Sequence, residues 1–111
     1  MKKLILLALL LTTGLLAQTF NVSTTPELRT ALTNAASNGE NNTIIIADGT
    51  YLVSDDGVGT FTYYSTSDSN LTLKGSNSAN VILNGIDRYQ IFKHTSGGGT
   101  LILEKVSFTN G

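Results

Sequence analysis

Few side chains in this sequence are of a type and spacing that could do chemistry. Asp55 and Asp56, together with Asp68, could offer carboxylate oxygens to Ca²⁺, which takes about six to eight of them. Gly57-Val58-Gly59 would let such a loop bend. The run D-D-G-V-G-T matches neither the EF-hand loop nor the nonapeptide Ca²⁺ repeat, so the plainer expectation is a solvated loop. Asp48, placed before Gly49, suits an Asx-type turn. His94 is the single histidine and follows Lys93. A lone imidazole builds neither a triad nor a metal cluster, and a surface position is expected. Asp87-Arg88 could act as an acid and a base beside a saccharide, with Tyr63, Tyr64 and Tyr89 stacking on its rings. Glycoside hydrolysis needs two carboxyls at a defined separation across a cleft, however, and no such pair is legible. Gly97-Gly98-Gly99 precedes a strand-like run, so it lacks the helix N-terminus of a phosphate cradle and reads as a flexible turn. The expectation is therefore no catalytic, cofactor-binding or metal site within these residues.

Composition narrows the classes further. The chain has 111 residues, no cysteine and a net charge of −1. Without cysteine there is no disulfide framework, thiolate zinc site or thiol nucleophile. Clustered Lys and Arg are needed to neutralise phosphates or anionic lipid, and they are missing here, which excludes nucleic-acid and anionic-membrane partners. Asn, Ser, Thr and Gly supply nearly half of the chain from Gln18 onward.

Lys2-Lys3 followed by the apolar run 4–11 has the pattern of a cleaved secretory signal, with Ala17 the small residue before the cut. The stretch is shorter than the ~20 residues of a spanning helix. Loss of Lys2 and Lys3 leaves five basic residues against eight acidic ones, a net charge of −3. After the short stretch 19–23, Thr24 or Thr25 caps a helix, with Pro26 in its first turn and Glu27 completing a capping box with Thr24. Leu28, Ala31, Leu32, Ala35 and Ala36 form one apolar stripe, and Asn38-Gly39 ends it. A helix with one apolar face must lie on something.

Beyond Gly39 the pattern is of short strands: TIIIA at 43–47, NLTL at 70–73, NVIL at 80–83 and TLIL at 100–103. Alternation at Phe61 and Tyr63 marks a fifth strand, and Ile91-Phe92 a sixth. Thr43 to Asn70 and Asn70 to Thr100 are spaced as repeats are. Leu101 and Leu103 lie on the opposite parity from Val106 and Phe108, which requires a corner at Glu104-Lys105 to turn both pairs into one interior. A similar corner at 75–78 would separate Leu71 and Leu73 from Val81 and Leu83. These features describe an all-β solenoid, a right-handed parallel β-helix of two to three coils with an N-terminal amphipathic capping helix. The rival is an antiparallel sandwich with a hairpin at Asn84-Gly85. Three glycosylation sequons, at Asn21, Asn41 and Asn70, decide nothing in so Asn-rich a chain. Asn42, Asn70 and Asn80 are expected to serve corners and to stack from coil to coil.

The order of these segments carries a resemblance. An EL-x-x-AL helix core (Glu27, Leu28, Ala31, Leu32) is followed by NTIIIADGTY at 42–51, NLTLKGSNSANVILNG at 70–85 and TLILEKVSFTNG at 100–111. This resembles the N-terminal end of right-handed parallel β-helix proteins of the pectin lyase-like superfamily. The likeness is greatest to large bacterial surface and secreted members, including polymorphic outer-membrane proteins and autotransporter-type passengers, and it covers nearly all of the chain after the leader. It implies that the helix caps the first coil and that many more coils follow. Lyases of that family use carboxylate-bound Ca²⁺ and a basic Arg or Lys on central coils; no position here matches such a motif, and none is carried over.

The expected organisation is a signal peptide at 1–17, an N-terminal strand and capping helix at 18–40, and the first coils of a β-helix at 41–111, truncated from a longer protein. The expected function is structural and adhesive: an exported bacterial protein, secreted or held at the outer-membrane surface by a C-terminal region outside this chain, binding polysaccharide or a host-cell ligand along its face. The alternative is the leading end of a polysaccharide lyase or glycoside hydrolase whose active site lies beyond residue 111. A third reading is a small protein that closes its open end by self-association.

Overall fold

The computed structural model describes residues 17–76 and 80–111. The leader expected at 1–17 therefore lies, apart from Ala17, outside the described residues, as does part of the corner expected at 75–78. Among the described residues no helix is long and apolar enough to cross a membrane.

A first strand, β1 (Ala17–Val22), leads into the helix α1 (Thr25–Ser37). Thr24 is the N-cap: its hydroxyl accepts from the Glu27 N–H at 3.2 Å. The reciprocal arm lands one residue earlier than a standard capping box, because the Glu27 carboxylate accepts from the Ser23 N–H at 2.8 Å and from the Ser23 hydroxyl at 3.1 Å. Those bonds, the backbone one foremost, hold the Glu27 carboxyl below its ordinary range. Asn38 ends the helix, and Gly39 follows at φ +71. Leu28, Ala31, Leu32 and Ala35 are buried, so the apolar stripe read from the sequence is the face that packs.

Eight further strands follow: β2 (Asn41–Ile46), β3 (Gly49–Leu52), β4 (Phe61–Ser65), β5 (Leu71–Gly75), β6 (Val81–Asn84), β7 (Phe92–Ser96), β8 (Leu101–Glu104) and β9 (Val106–Thr109). They form three sheets, ordered β1-β2-β5-β8, β3-β6-β9 and β4-β7, and every pairing is parallel. The chain visits the first, second and third sheets in turn and then returns to the first. The antiparallel alternative is thereby overturned. Asn84-Gly85 is no hairpin: β6 and β7 lie in different sheets, and the turn between them carries Ile86 and Asp87 at positive φ.

Register aligns inward side chains into columns. Ile44, Leu73 and Leu103 stack in the first sheet, and Tyr51, Leu83 and Phe108 in the second. Phe61 and Phe92 stack in the third. Each fully buried Leu or Ile here contributes roughly 1.5–3 kcal/mol relative to exposure. The parity switch between Leu101/Leu103 and Val106/Phe108 is met as expected: Lys105, at φ 55, is the corner between β8 and β9. Strand β3 was not read from the sequence, because Gly49, Thr50, Tyr51 and Leu52 offer only two apolar residues, of which Tyr51 alone is buried.

The turn expected at Gly97-Gly98-Gly99 lies between β7 and β8, and it is closely packed on one side. A Cβ on Gly97 would sit 2.8 Å from the Thr66 carbonyl oxygen, and one on Gly98 2.5 Å from Asp68 Oδ1. One on Gly99 would overlap the Ser69 carbonyl oxygen. These glycines let the connection between β7 and β8 lie directly on that between β4 and β5, so they serve close approach. We expect Gly99→Ala to lower stability by more than about 2 kcal/mol by urea unfolding. Gly57→Ala, which meets open space but has φ +77, should cost about 1 kcal/mol. Equal, small losses at both positions would contradict the close-approach reading.

Candidate functional site

The densest polar arrangement centres on Arg29, a residue the sequence reading did not single out. Its Nε donates to Asp56 Oδ2 at 2.7 Å, and one terminal nitrogen donates to Asp56 Oδ1 at 3.0 Å. The guanidinium also donates to the carbonyl oxygens of Val53, Gly59 and Thr60 at 3.0–3.1 Å. Its Cζ lies 4.7 Å from the centre of the Phe61 ring, a cation–π contact. Beside it, the Thr25 hydroxyl donates to Asp55 Oδ2 at 2.9 Å, and that oxygen also accepts from the Leu52 N–H at 3.2 Å. The loop is exposed at Asp55, Gly57 and Val58, as expected, but the carboxylates of Asp55 and Asp56 are bonded to α1 rather than free. They clamp the connection between β3 and β4 to α1, and their oxygens serve Arg29 and Thr25. Asp68 does not join them: among the described residues no group of three His, Cys, Asp or Glu converges as metal ligands do.

Asparagines do link circuit to circuit, though not quite as expected. Asn41 Oδ1 accepts from the Asn70 N–H, and Asn70 Oδ1 accepts from the Thr100 N–H, both at 2.9 Å, across 29 and 30 residues. Asn42 has a different task. It is buried, and its amide nitrogen donates to the carbonyls of Ala35 at 3.1 Å and Glu40 at 2.8 Å, satisfying the end of α1. A second link runs from Asn110 to Asn84 Oδ1 at 3.5 Å, with Asn84 Oδ1 also accepting from the Ile86 N–H at 2.7 Å. Ser65, Ser67 and Ser69 form a short hydroxyl chain along one connection.

The tyrosines separate into three environments. Tyr63, expected as a sugar platform, is instead 2% exposed, and its ring stacks on His94 with centroids 5.6 Å apart. Its hydroxyl is buried with no hydrogen-bond partner among the described residues. Tyr89 is 36% exposed, with one face of its ring over Gly59, whose added Cβ would meet it at 3.1 Å. Tyr64 is 61% exposed. A fourth, Tyr51, donates to the Ala47 carbonyl at 2.6 Å, and burial, with the Glu27 and Asp48 charges, pushes its phenol up from the ordinary value. Asp87 and Arg88 are exposed, as is His94. Asp48 accepts from the Ser76 hydroxyl at 3.4 Å.

Tyr64 borders a groove whose walls are mostly hydroxyl-bearing. This groove, about 690 Å³, runs between the C-terminal half of α1 and β4. Thr33 and Ser37 line one side, Thr62, Tyr64 and Thr66 the other, with the half-buried Ala36 between them over the buried Leu32. The alternation of β4 turns Thr62 and Tyr64 outward while Phe61, Tyr63 and Ser65 are buried. Nothing in it pairs a nucleophile with a base, so the arrangement can hold a ligand but offers no acid–base chemistry.

No protein-family model matches the chain, and comparisons with curated proteins and with solved structures likewise give no match.

Two outcomes test these contacts. The Arg29 hydrogen bond, foremost, holds the Asp56 carboxyl below its ordinary range, against the opposing effect of burial. A carboxyl depressed on folding contributes stability fully above its unfolded pKa, near 4, and loses it as pH falls through the lower folded value. Asp56→Asn should therefore be about 1–2 kcal/mol less stable than the parent near neutral pH. That gap should close in urea titrations as the pH drops well below 4; a gap independent of pH would contradict the pairing. Tyr63→Phe removes a buried hydroxyl that lacks a partner, so it should be neutral or stabilising by up to about 1 kcal/mol. A loss above that size would show that the hydroxyl is bonded after all.

Proposed function

We propose that this chain is the capped N-terminal end of a right-handed parallel β-helix, exported by a cleaved leader, whose work is structural and adhesive. The observation that carries this reading is the contrast between its two ends. At the first, α1 lays Leu28, Ala31, Leu32 and Ala35 over the core, and Leu28 and Leu32 are fully buried. At the other, the same columns stand uncovered. Leu73 is 0% exposed but Leu103 above it is 46%; Leu83 is 0% exposed but Phe108 is 39%. All three sheets also present a parallel strand edge there, at β7, β8 and β9. An edge of this kind is a template for pairing, and solenoid circuits bury their cores only against neighbours. Further parallel circuits laid on this end would complete each column without changing the register.

The likeness to pectin lyase-like surface and secreted proteins supports the same reading, and so does the polar exterior. A rigid rod with threonine, serine and asparagine outward presents an extended face to polysaccharide or to a cell-surface ligand. Its place is outside the cell, secreted or attached at the outer membrane through a region beyond this chain.

Truncation of the columns and sequencing of the exported protein provide the test. Leu73→Ala should cost about 2–5 kcal/mol, as buried leucines do, whereas Leu103→Ala in the same chain should cost well under about 1 kcal/mol. The exported protein should begin at Gln18. Equal losses at the two leucines would contradict the uncovered end, and a mature protein retaining Lys2 and Lys3 would contradict export by a cleaved leader.

A further inference from the structure

We propose that the groove between α1 and β4 binds a neutral oligosaccharide segment. The proposal deepens the binding role above by naming a ligand class, and it stands on α1, β4 and the residues that directly follow them, whatever covers the far end. Its volume, about 690 Å³, falls within the roughly 300–1,000 Å³ of small-molecule sites. No Asp, Glu, Lys, Arg or His lines it among the described residues, so a charged ligand would find no counter-charge there. What lines it is a row of hydroxyls beside one open aromatic face. Each hydroxyl can donate once and accept twice. The Thr33 hydroxyl already donates to the Arg29 carbonyl at 3.2 Å and that of Ser37 lies 3.4 Å from the Thr33 carbonyl, which leaves their oxygens to accept.

Backbone groups add to this set. The Phe61 N–H donates to the Ile91 carbonyl, so Phe61, Tyr63 and Ser65 turn their amides toward β7. In a parallel ladder the alternate residues face the other way. Thr62 and Tyr64 therefore turn N–H and C=O toward the edge opposite β7, where α1 lies. A pyranose presents C–H groups on its faces and hydroxyls around its rim. The Tyr64 ring, 61% exposed, matches the faces, and the threonine and serine hydroxyls with the strand edge match the rim.

The test titrates the full chain with xylo-, cello-, malto-, manno- and chito-hexaose, with trigalacturonate as the charged comparison, following amide resonances and heats of binding. At least one neutral hexaose should bind and shift the amides of Thr62, Tyr64 and Ser37. Tyr64→Ala should weaken that binding by roughly tenfold or more without changing thermal unfolding, while Tyr64→Phe, which keeps the ring, should bind nearly as the parent does. Tyr89→Ala should leave the affinity unchanged. Silence from every neutral hexaose at about 10 mM overturns the assignment, and so does binding indifferent to Tyr64. A preference for trigalacturonate overturns it as well, as would occupation of the groove by an extended threonine-rich peptide with the sugars inert. The unfolding behaviour of Leu73→Ala and Leu103→Ala is read separately, so failure of the cap and failure of the groove remain distinct.

Discussion

Helix α1 and the connection between β3 and β4 become one structure at the Arg29 guanidinium. Helix α1 contributes an apolar stripe that must be held flat over the open mouth of the core, and an amphipathic helix of this length has little stability without such packing. Apolar contact alone fixes neither its rotation nor its position along the sheets. Arg29 does both, because its fork reaches the Asp56 carboxylate and three carbonyls of the connection between β3 and β4 at once. Planar, multidentate geometry of this kind is what distinguishes arginine from lysine at such a position. Asp55 and Thr25 repeat the fastening one turn earlier, and Asn42 does so at the helix C-terminus through the Ala35 carbonyl.

With the helix held, the remaining strands follow from register. Parallel strands repeat the same side-chain parity from circuit to circuit, so one apolar position buried in β2 determines its partner in β5 and β8. Connections must then stack as well. The glycines at 97–99 allow that contact on one side, and the Asn41–Asn70–Thr100 bridges satisfy backbone donors on another. Burial is complete where a circuit has a neighbour on both sides and lapses where it has one, which is why exposure rises from Leu73 to Leu103.

Much of this was legible in the sequence. A helix start at Thr24 or Thr25, the Leu28/Leu32 stripe and the parity break at Glu104-Lys105 are local signals: capping chemistry, helical period and strand alternation; the structure selects Thr24 and Lys105. The spacing of the runs at 43, 70 and 100 is close to the 29- and 30-residue offsets between the paired strands β2, β5 and β8. Arg29 with Asp56 could not be read, since the pair is 27 residues apart and a double aspartate in a glycine-rich loop looks the same whether solvated or clamped. Tyr63 and Tyr64 are adjacent and identical in type; alternation groups Tyr63 with Phe61, and the burial of that face of β4 decides that Tyr63 points inward and Tyr64 outward. For the groove, the only sequence signal was that same alternation at Phe61 and Tyr63. Its other wall comes from the flank of α1, which no pattern within β4 reveals.

The parallel, in-register stacking of β2, β5 and β8 is the claim on which all of this rests. The chain contains no cysteine, so spin labels can be placed in pairs at Thr43, Thr72 and Ile102, three outward positions aligned in the first sheet. Dipolar spectra should report the 43/72 and 72/102 pairs as equally close, with backbones about 5 Å apart, and the 43/102 pair at about twice that separation. A 43/102 pair as close as 72/102, or a 72/102 pair separated by more than about three strand spacings, would contradict the account.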